Sequence, residues 1–118
     1  MYTVGIITSS DSGYAGKRED KSAEVIKKYV ESRGFKVEKY ILVPDDKEML
    51  KEAFIKMSDD LKLNLVLSTG GTGFSPRDVT PEATKEIIQR EAQGIADAIR
   101  MYSLQITKRA MLSRATSG

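Results

Sequence analysis

The sequence predicts an α/β protein with a mainly parallel sheet between two layers of helices, a three-layer αβα arrangement. Short apolar segments rich in β-branched residues alternate with segments of helical periodicity, and polar or glycine-containing turns separate them. No internal repeat or low-complexity linker interrupts this order. The 118 residues are enough for one buried core, so we expect a single domain over residues 1–118.

The first strand and the first long helix are predicted from the N-terminal third of the chain. Residues 2–8 are β-branched and mostly apolar, which is typical of a buried strand. Residues 9–20 are polar and contain two glycines, which indicates a loop. Residues 22–33 place apolar side chains at helical spacing, and Gly34 follows where a helix commonly ends.

The second strand and the next helix follow directly. Residues 35–43 alternate so that four apolar side chains share one face of a strand: Phe35, Val37, Ile41 and Val43. Lys39 interrupts this alternation, which predicts a strand near an edge of the sheet. Pro44 ends the strand, and either Asp45 or Asp46 can cap the next helix. That helix has an apolar stripe, in which we expect the methionines to be core: Met49, Leu50, Ala53, Phe54, Met57 and Leu61.

The last predicted elements lie on either side of a glycine turn. Residues 63–69 are the most apolar strand candidate. Thr80, Pro81 and Glu82 predict a helix start, with a cap, a proline at the first position and an acid in the first turn. Residues 110–116 predict a short strand or an irregular tail, and the segment before them has helical spacing at Ile95, Ile99, Tyr102 and Ile106.

Composition excludes several classes of function. The net charge of +2 provides no strong field for nucleic acid or anionic lipid, so neither is an expected partner. No apolar run approaches the length of a membrane span and no signal region is evident, which predicts a cytoplasmic protein. Cysteine and histidine are absent, which excludes disulfides, thiolate nucleophiles, a Ser-His-Asp triad and the usual zinc sites.

The glycine turn is the most informative segment. Residues 65–84 read LVLSTGGTGFSPRDVTPEAT, so the turn lies at the carboxyl end of a predicted parallel strand, where open sheets bind ligands. Glycines leave backbone N–H groups accessible, and an anion is their natural ligand. The turn lacks the lysine and hydroxyl residue of a Walker A loop, and Pro76 stands where a dinucleotide fingerprint needs glycine. A stock nucleotide motif is therefore excluded.

The longer string STGGTGFSPRDVTPEATKEII resembles the signature of the molybdopterin adenylyltransferase family. This family includes the Mog and MoaB proteins and the G domains of gephyrin and of its plant counterpart. The segments TVGIITSSDS, VPDD and SLQITKRAMLSRA fit the same family, as does the order of elements, so the resemblance covers essentially the whole chain. Relatives continue into a further strand, a Pro-Gly loop and a closing helix that have no counterpart here. We therefore expect an incomplete sheet and an incomplete pterin side of the pocket.

The resemblance implies a role in molybdenum cofactor biosynthesis, with molybdopterin and ATP as substrates. AMP would be transferred to the terminal phosphate of molybdopterin with Mg²⁺, and pyrophosphate would be released. Such a transfer depends on in-line positioning and charge neutralisation, and the nucleophile is the substrate's own phosphate. The absence of His and Cys is compatible with this chemistry.

The resemblance also assigns site residues. It makes Asp78 and Asp45 the catalytic carboxylates, with Asp78 holding Mg²⁺ or orienting the nucleotide. A guanidinium fork suits phosphate oxygens, so Arg77 is a candidate for direct phosphate contact. The remaining substrate or nucleotide-binding positions are the anion cradle, the loop after the first strand and the LSR element: Gly70, Gly71, Thr72, Gly73, Ser10, Asp11, Ser113 and Arg114.

Several of these residues also have plain structural interpretations. Asp45 could be only a helix cap, and Asp78 could bond backbone groups within its own turn. Ser10 and Asp11 could form a turn, and Arg114 could be a solvated residue of the tail. The two interpretations predict different contacts for each side chain.

The alternatives to an enzyme concern the whole molecule. One is a non-catalytic module of the same fold that holds molybdopterin or a partner protein. Another is a CinA-type or molybdenum-insertion domain, although TGGTGFSPRDVTPEAT fits the Mog type better. The resemblance further implies a homo-oligomer, with a trimer expected, and the molybdenum-insertion enzyme as a potential partner.

Overall fold

The computed structural model describes all residues, 1–118. Its elements alternate between strand and helix, which confirms the predicted α/β class. In chain order they are β1 (Thr3–Ser9), α1 (Asp11–Tyr14), α2 (Lys21–Ser32), β2 (Lys36–Val43), α3 (Lys47–Ile55), β3 (Leu65–Thr69), α4 (Thr80–Ile87) and α5 (Gln93–Leu104). A π-helical segment, Lys56–Asp60, continues α3, and Lys108–Leu112 forms a 3-10 helix.

The sheet has three parallel strands in the order β2-β1-β3. β1 is central, and six of its seven residues are buried, which explains the absence of charged residues from its sequence. The predicted parallel sheet is confirmed. None of the helices has the length and apolar character needed to cross a lipid bilayer.

Helices cover both faces of the sheet, giving the three predicted layers. On one face, Val4 and Ile6 of β1 pack with the buried side of α2. On the other face, the apolar stripe of α3 packs with α4 and the sheet in a cluster of seven buried residues: Ile7, Val43, Leu50, Ala53, Phe54, Met57 and Ala83. Met57 is fully buried as predicted, whereas Met49 is 38% exposed, so its assignment to the core is wrong. It lies beside the buried stripe of α3.

β2 departs from its predicted alternation. Its register against β1 shifts between Val4 and Gly5, which leaves Glu38 as an extra residue on the edge strand. Because one extra residue reverses the faces of the strand, Val37 packs on the α2 side and Ile41 on the α3 side. The prediction that both side chains share one face is therefore wrong. The out-of-phase Lys39 was the visible sign of this bulge.

The helix ends follow local rules with one exception. Gly34 has φ +87° after α2, and the Asp46 side chain caps α3 by accepting from the N–H of Met49 over 2.9 Å. Asp45 is therefore not the cap of α3. Thr80 is not an N-cap either, because its hydroxyl donates to the carbonyl oxygen of Gly70 over 2.8 Å, and no side chain caps α4.

The C-terminal segment is loosely packed against the rest. The predicted helical spacing is confirmed in α5, but its periodic side chains are exposed and only Ala96 is buried. Residues 113–118 are irregular after the 3-10 helix, so the alternative of a short strand over 110–116 is wrong. The predicted loop 9–20 likewise contains the four-residue helix α1, which Ser10 caps.

Candidate functional site

The carboxyl ends of the three strands lie along one edge of the sheet, because the strands are parallel. The Ser9 hydroxyl, at the end of β1, donates to Oδ1 of Asp45 over 2.7 Å. The N–H of Asp11 donates to Oδ2 of Asp45 over 3.2 Å, and the N–H of Asp45 donates to Oδ1 of Asp11 over 2.9 Å. Two of the predicted site residues, Asp11 and Asp45, are thus brought together after neighbouring strands.

Arg77 joins this group from the glycine turn. Its Nε and Nη2 donate to the two carboxylate oxygens of Asp11 over 3.0 and 2.9 Å. The Arg77 guanidinium, helped by the N–H of Asp45, holds the pKa of Asp11 below its usual value. The pair is solvent-exposed, so an anionic ligand can compete for the guanidinium. Ser10 stands apart from this group, since its hydroxyl accepts from the N–H of Gly13 over 3.1 Å.

The glycine turn requires glycine at its first two positions. Gly70 has φ +91° and Gly71 has φ +73°, which is the left-handed region that other residues rarely adopt. A Cβ on Gly70 would overlap the carbonyl oxygen of Ser9, and a Cβ on Gly71 would overlap the Thr80 hydroxyl. The turn therefore lies directly against the end of β1 and the start of α4.

Four consecutive backbone N–H groups in this turn are unpaired. Those of Gly71, Thr72, Gly73 and Phe74 donate to no protein acceptor. The glycines and Thr72 are half-buried, and unpaired donors at such positions are costly unless water or a ligand accepts from them. This is the arrangement that an anion cradle needs.

Asp78 closes the turn that begins at the cradle. Its Oδ2 accepts from the N–H of Ser75 over 3.0 Å, as its structural interpretation predicts. A Cβ on Gly73 would lie 2.8 Å from the same oxygen, so a larger residue there would displace the Asp78 carboxylate. Oδ1 of Asp78 accepts no hydrogen bond from the protein. The carboxylate thus keeps one oxygen free for a ligand beside the unpaired amides.

Most donors of the Arg114 guanidinium are bonded within the protein, so its interpretation as a solvated tail residue is wrong. Its guanidinium donates to the carbonyl oxygens of Gly73 and Asp78 over 2.7 and 3.0 Å, and to Glu82 over 2.6 Å. One of the two N–H groups of Nη1 has no acceptor in the protein, so a direct nucleotide contact would have to use that donor or break one of these contacts. Ser113 lines a polar cavity of about 380 Å³, and Arg114, Lys85 and Arg100 are among the other lining residues.

A larger cavity lies away from the glycine turn. It has a volume of about 470 Å³ and lies between α2 and β2, with Ile6 and Val37 among its lining residues. Two of its polar lining groups are paired, since the Tyr40 hydroxyl donates to Asp20, the cap of α2. Burial and this contact raise the pKa of Tyr40 to about 12. Its lining side chains carry charges of both signs, among them Glu24 and Lys27, and none of the residues predicted for the site is among them.

Three residues that take part in the strand-end site were not predicted as site residues from the sequence. Ser9 orients Asp45, the Thr80 hydroxyl holds Gly70, and Glu82 pairs with Arg114. Ser9 is buried at the polar end of an apolar strand, which is a recognisable signal. The contacts of Glu82 and Thr80 have no local signal, because each joins residues that are distant in the chain.

The fold and the glycine turn define an open parallel α/β protein with its candidate ligand site beyond the carboxyl ends of the strands. The chain belongs to the family described as probable molybdopterin binding domain, whose sequence model matches residues 5–118. The predicted resemblance is therefore confirmed at the level of the family.

Individual relatives agree with this assignment. A protein named molybdopterin adenylyltransferase from Helicobacter pylori strain J99 is 35% identical over 117 residues, which are 98% of this chain and 66% of the relative. The crystal structure of MoaB from Thermus thermophilus, called a molybdopterin biosynthesis enzyme, superposes with a TM-score of 0.93 at 42% identity, covering 100% of this chain and 74% of that one. CinA of Thermoplasma acidophilum gives a TM-score of 0.68 at 25% identity, covering 75% of this chain and 52% of that one, so the likeness is stronger to MoaB.

Proposed function

We propose that the chain acts in molybdenum cofactor biosynthesis by transferring AMP from ATP to the terminal phosphate of molybdopterin. The observation that carries the proposal is the set of four unpaired N–H groups from Gly71 to Phe74, at the carboxyl end of β3. They offer neutral donors to a phosphate, in a family described as binding molybdopterin. The name of the Helicobacter pylori relative supports the same activity.

The chemistry needs few side chains. An oxygen of the pterin phosphate attacks the α-phosphorus of ATP, the bond from that phosphorus to the bridging oxygen breaks, and pyrophosphate leaves. A phosphate monoester is already ionised near neutral pH, so the attacking group needs no general base. The protein's task is to align the two phosphates and to offset their charge. The glycine turn supplies donors for one of them, and Arg77 can turn from Asp11 to the other.

Asp78 is the residue that fits a magnesium ion best. No group of three or more acidic side chains forms an all-protein cage, but Mg²⁺ bound with nucleotides commonly uses one or two carboxylates and the phosphates themselves. Oδ1 of Asp78 is free for this contact, whereas both oxygens of Asp45 already accept hydrogen bonds. When bound, Mg²⁺ would neutralise phosphate charge during the transfer. Asp45 then orients the segment after β1.

The test is molybdopterin-dependent release of pyrophosphate by the purified chain with ATP and Mg²⁺. We expect AMP to appear on molybdopterin in equal amount, and neither product without molybdopterin. Separate titration with ATP and Mg²⁺ should raise the melting temperature, while single-stranded DNA should not. Absence of molybdopterin-dependent pyrophosphate release, despite binding of both substrates, would refute the enzymatic proposal.

A binding module of the same fold is the second candidate. It is favoured by the strand-end carboxylates, because Asp11 and Asp45 are already satisfied by Arg77, Ser9 and each other's backbone. A module would bind molybdopterin without turnover. The same assay separates it from the enzyme, since calorimetry would then show binding where product analysis shows no AMP transfer.

The proposed assembly is a cytoplasmic homotrimer that could pass its product to the molybdenum-insertion enzyme. Its physical support is the exposed apolar side of α5, where Ile95, Ile99 and Tyr102 are each more than 60% exposed. Light scattering coupled to size exclusion should give a mass of about three chains. A monomer at micromolar concentration would refute the assembly.

A further inference from the structure

Arg114 contacts the glycine turn at three backbone carbonyl groups. Its own N–H donates to the Thr72 oxygen over 2.8 Å, Nε donates to the Gly73 oxygen over 2.7 Å, and Nη2 donates to the Asp78 oxygen over 3.0 Å. The guanidinium also lies 5.6 Å from the centre of the Phe74 ring. One residue thus contacts both ends of the loop from Thr72 to Asp78, which lies at least 36 positions away in the sequence.

Glu82 fixes the guanidinium from the opposite side. Its carboxylate accepts from Nη1 over 2.6 Å and from Nη2 over 3.3 Å. Because Glu82 lies in the first turn of α4, Arg114 is bound at once to the loop and to the helix that follows it. Such a planar set of donors is specific to arginine, since a lysine ammonium acts as a compact point charge.

The direction of these contacts bears on anion binding. The same segment holds carbonyl groups, which repel an anion, and N–H groups, which attract one. The carbonyl groups of Thr72, Gly73 and Asp78 are occupied by Arg114, while the N–H groups from Gly71 to Phe74 remain unpaired. The carbonyl groups of the loop are therefore already paired, and its N–H groups are already free, before a ligand binds. This lowers the cost of reorganisation on binding.

We infer that Arg114 is a positioning residue that holds the glycine turn in its anion-binding conformation and does not itself bind the substrate. The inference rests on the proposed function for its catalytic consequence, but its structural part stands on the contacts alone. It replaces the predicted nucleotide contact of Arg114 with an indirect role. A guanidinium that moved to a substrate phosphate would leave two carbonyl groups and Glu82 without their donor.

The first test is amide hydrogen exchange by NMR in Arg114→Lys. Hydrogen-bonded amides in and beside the loop report its opening, namely those of Ser75, Asp78 and Thr80, and the Val30 amide in α2 serves as an internal reference. We expect about tenfold faster exchange at the three loop amides and no change at the reference. Arg109→Lys is the matched control, because the Arg109 side chain makes no hydrogen bond or ion pair. Unchanged loop exchange in Arg114→Lys would overturn the inference.

The second test uses ligands. Titration with inorganic pyrophosphate and Mg²⁺ should show about tenfold weaker binding to Arg114→Lys than to Arg109→Lys, with melting temperatures that agree within about 3 °C. Turnover should show a higher KM for the substrate whose phosphate occupies the loop and an unchanged KM for the other. General structural damage would impair both substrates alike.

The two proposals fail in different ways. If the unmodified chain transfers no AMP but loop exchange and pyrophosphate binding respond to Arg114→Lys, the enzymatic proposal fails and the positioning role stands. If the unmodified chain is active and Arg114→Lys leaves exchange, binding and both KM values unchanged, the positioning role fails alone.

Discussion

The helix-covered core and the glycine turn of this molecule, here called the loop and running from Gly70 to Asp78, are maintained by different interactions. In the core, Leu50 and Met57 are fully buried and pack with the sheet. The conformation of the loop depends on the left-handed torsions of its glycines and on hydrogen bonds to its backbone carbonyl groups. It also depends on the exposed contact between Arg77 and Asp11. The core derives its stability from apolar area removed from water, whereas the loop derives its shape from directional polar contacts.

This difference separates stability from function along the chain. A protein of this size has only a few kcal/mol of net stability, most of it tied to burial. The loop buries little apolar surface, so its residues can be selected for ligand contacts at small cost to the fold. Substitutions in the core should thus change the free energy of unfolding, and substitutions in the loop should change binding and turnover.

Leu50→Ala is expected to have the largest effect. Removing a fully buried leucine side chain should lower the free energy of unfolding by about 3 kcal/mol, through lost burial and a residual cavity. Met49→Ala is the control on the same helix, and its 38% exposure predicts a loss below about 1 kcal/mol. Urea unfolding measures both. Turnover per folded molecule should stay unchanged in both variants. Lower turnover per folded molecule in Leu50→Ala would show that core packing also controls the loop.

Asp78→Asn should have the opposite profile. Asparagine can still accept from the N–H of Ser75, so the free energy of unfolding should change by less than about 0.5 kcal/mol. The lost charge at the free oxygen should lower AMP transfer about 100-fold if Asp78 holds Mg²⁺. Asp60→Asn, at an exposed position outside the loop, should leave turnover unchanged. Full magnesium-dependent activity in Asp78→Asn would leave only the turn-forming role of this carboxylate.

Gly70→Ala tests the place where loop and core meet. Gly34→Ala is the control, because both glycines have a left-handed φ, +87° at Gly34 and +91° at Gly70. A Cβ on Gly34 would meet no atom within 4 Å. A Cβ on Gly70 would overlap the Ser9 carbonyl, so β1 and the turn must separate. We expect Gly70→Ala to be less stable than Gly34→Ala by about 2 kcal/mol in denaturant unfolding. Equal losses would show that the turn is free to move away from β1.

The core was largely predictable from the sequence because its signals are local. The stripe through Leu50 and Met57 and the glycine after α2 depend on residues a few positions apart. The bulge at Glu38 could not be predicted from such local signals, because the same residues fit a regular strand unless the pairing with β1 is known. The exposed α5 side chains show a similar limit, because periodicity predicts a helix but not what covers it.

The strand-end site was predictable in outline only. Its location followed from glycines after an apolar strand, and its residues were assigned through the family resemblance. The pairing of Arg77 with Asp11 spans 66 positions, and that of Arg114 with Glu82 spans 32. No local rule connects such residues, so the carboxylate partner of each arginine could not be predicted. The assigned roles of Asp78, Asp45 and the cradle stay predictions until the variants are measured.

Glu82→Gln should have the smallest effect, and it distinguishes the loop from the core by pH. The Arg114 guanidinium lowers the pKa of Glu82 from its usual 4.5, against an opposing effect of burial. A lowered folded-state pKa means that the ionised carboxylate stabilises the fold fully above the unfolded value, and that this contribution disappears as pH falls through the folded value.

The melting temperature of the unmodified chain should therefore exceed that of Glu82→Gln by a small, constant amount between about pH 7 and pH 5, and the difference should shrink as the pH is lowered below the unfolded value of 4.5. Added salt should reduce the difference as well, because the pair is partly exposed. Glu52→Gln is the control for the removal of one carboxylate, since Glu52 is exposed and forms no ion pair. Leu50→Ala should also keep a pH-independent offset, because no titrating group lies in the cluster around that side chain. If the Glu82→Gln offset persisted unchanged to pH 3, the contact with Arg114 would not depend on charge, and the loop would resemble the core in how it is held.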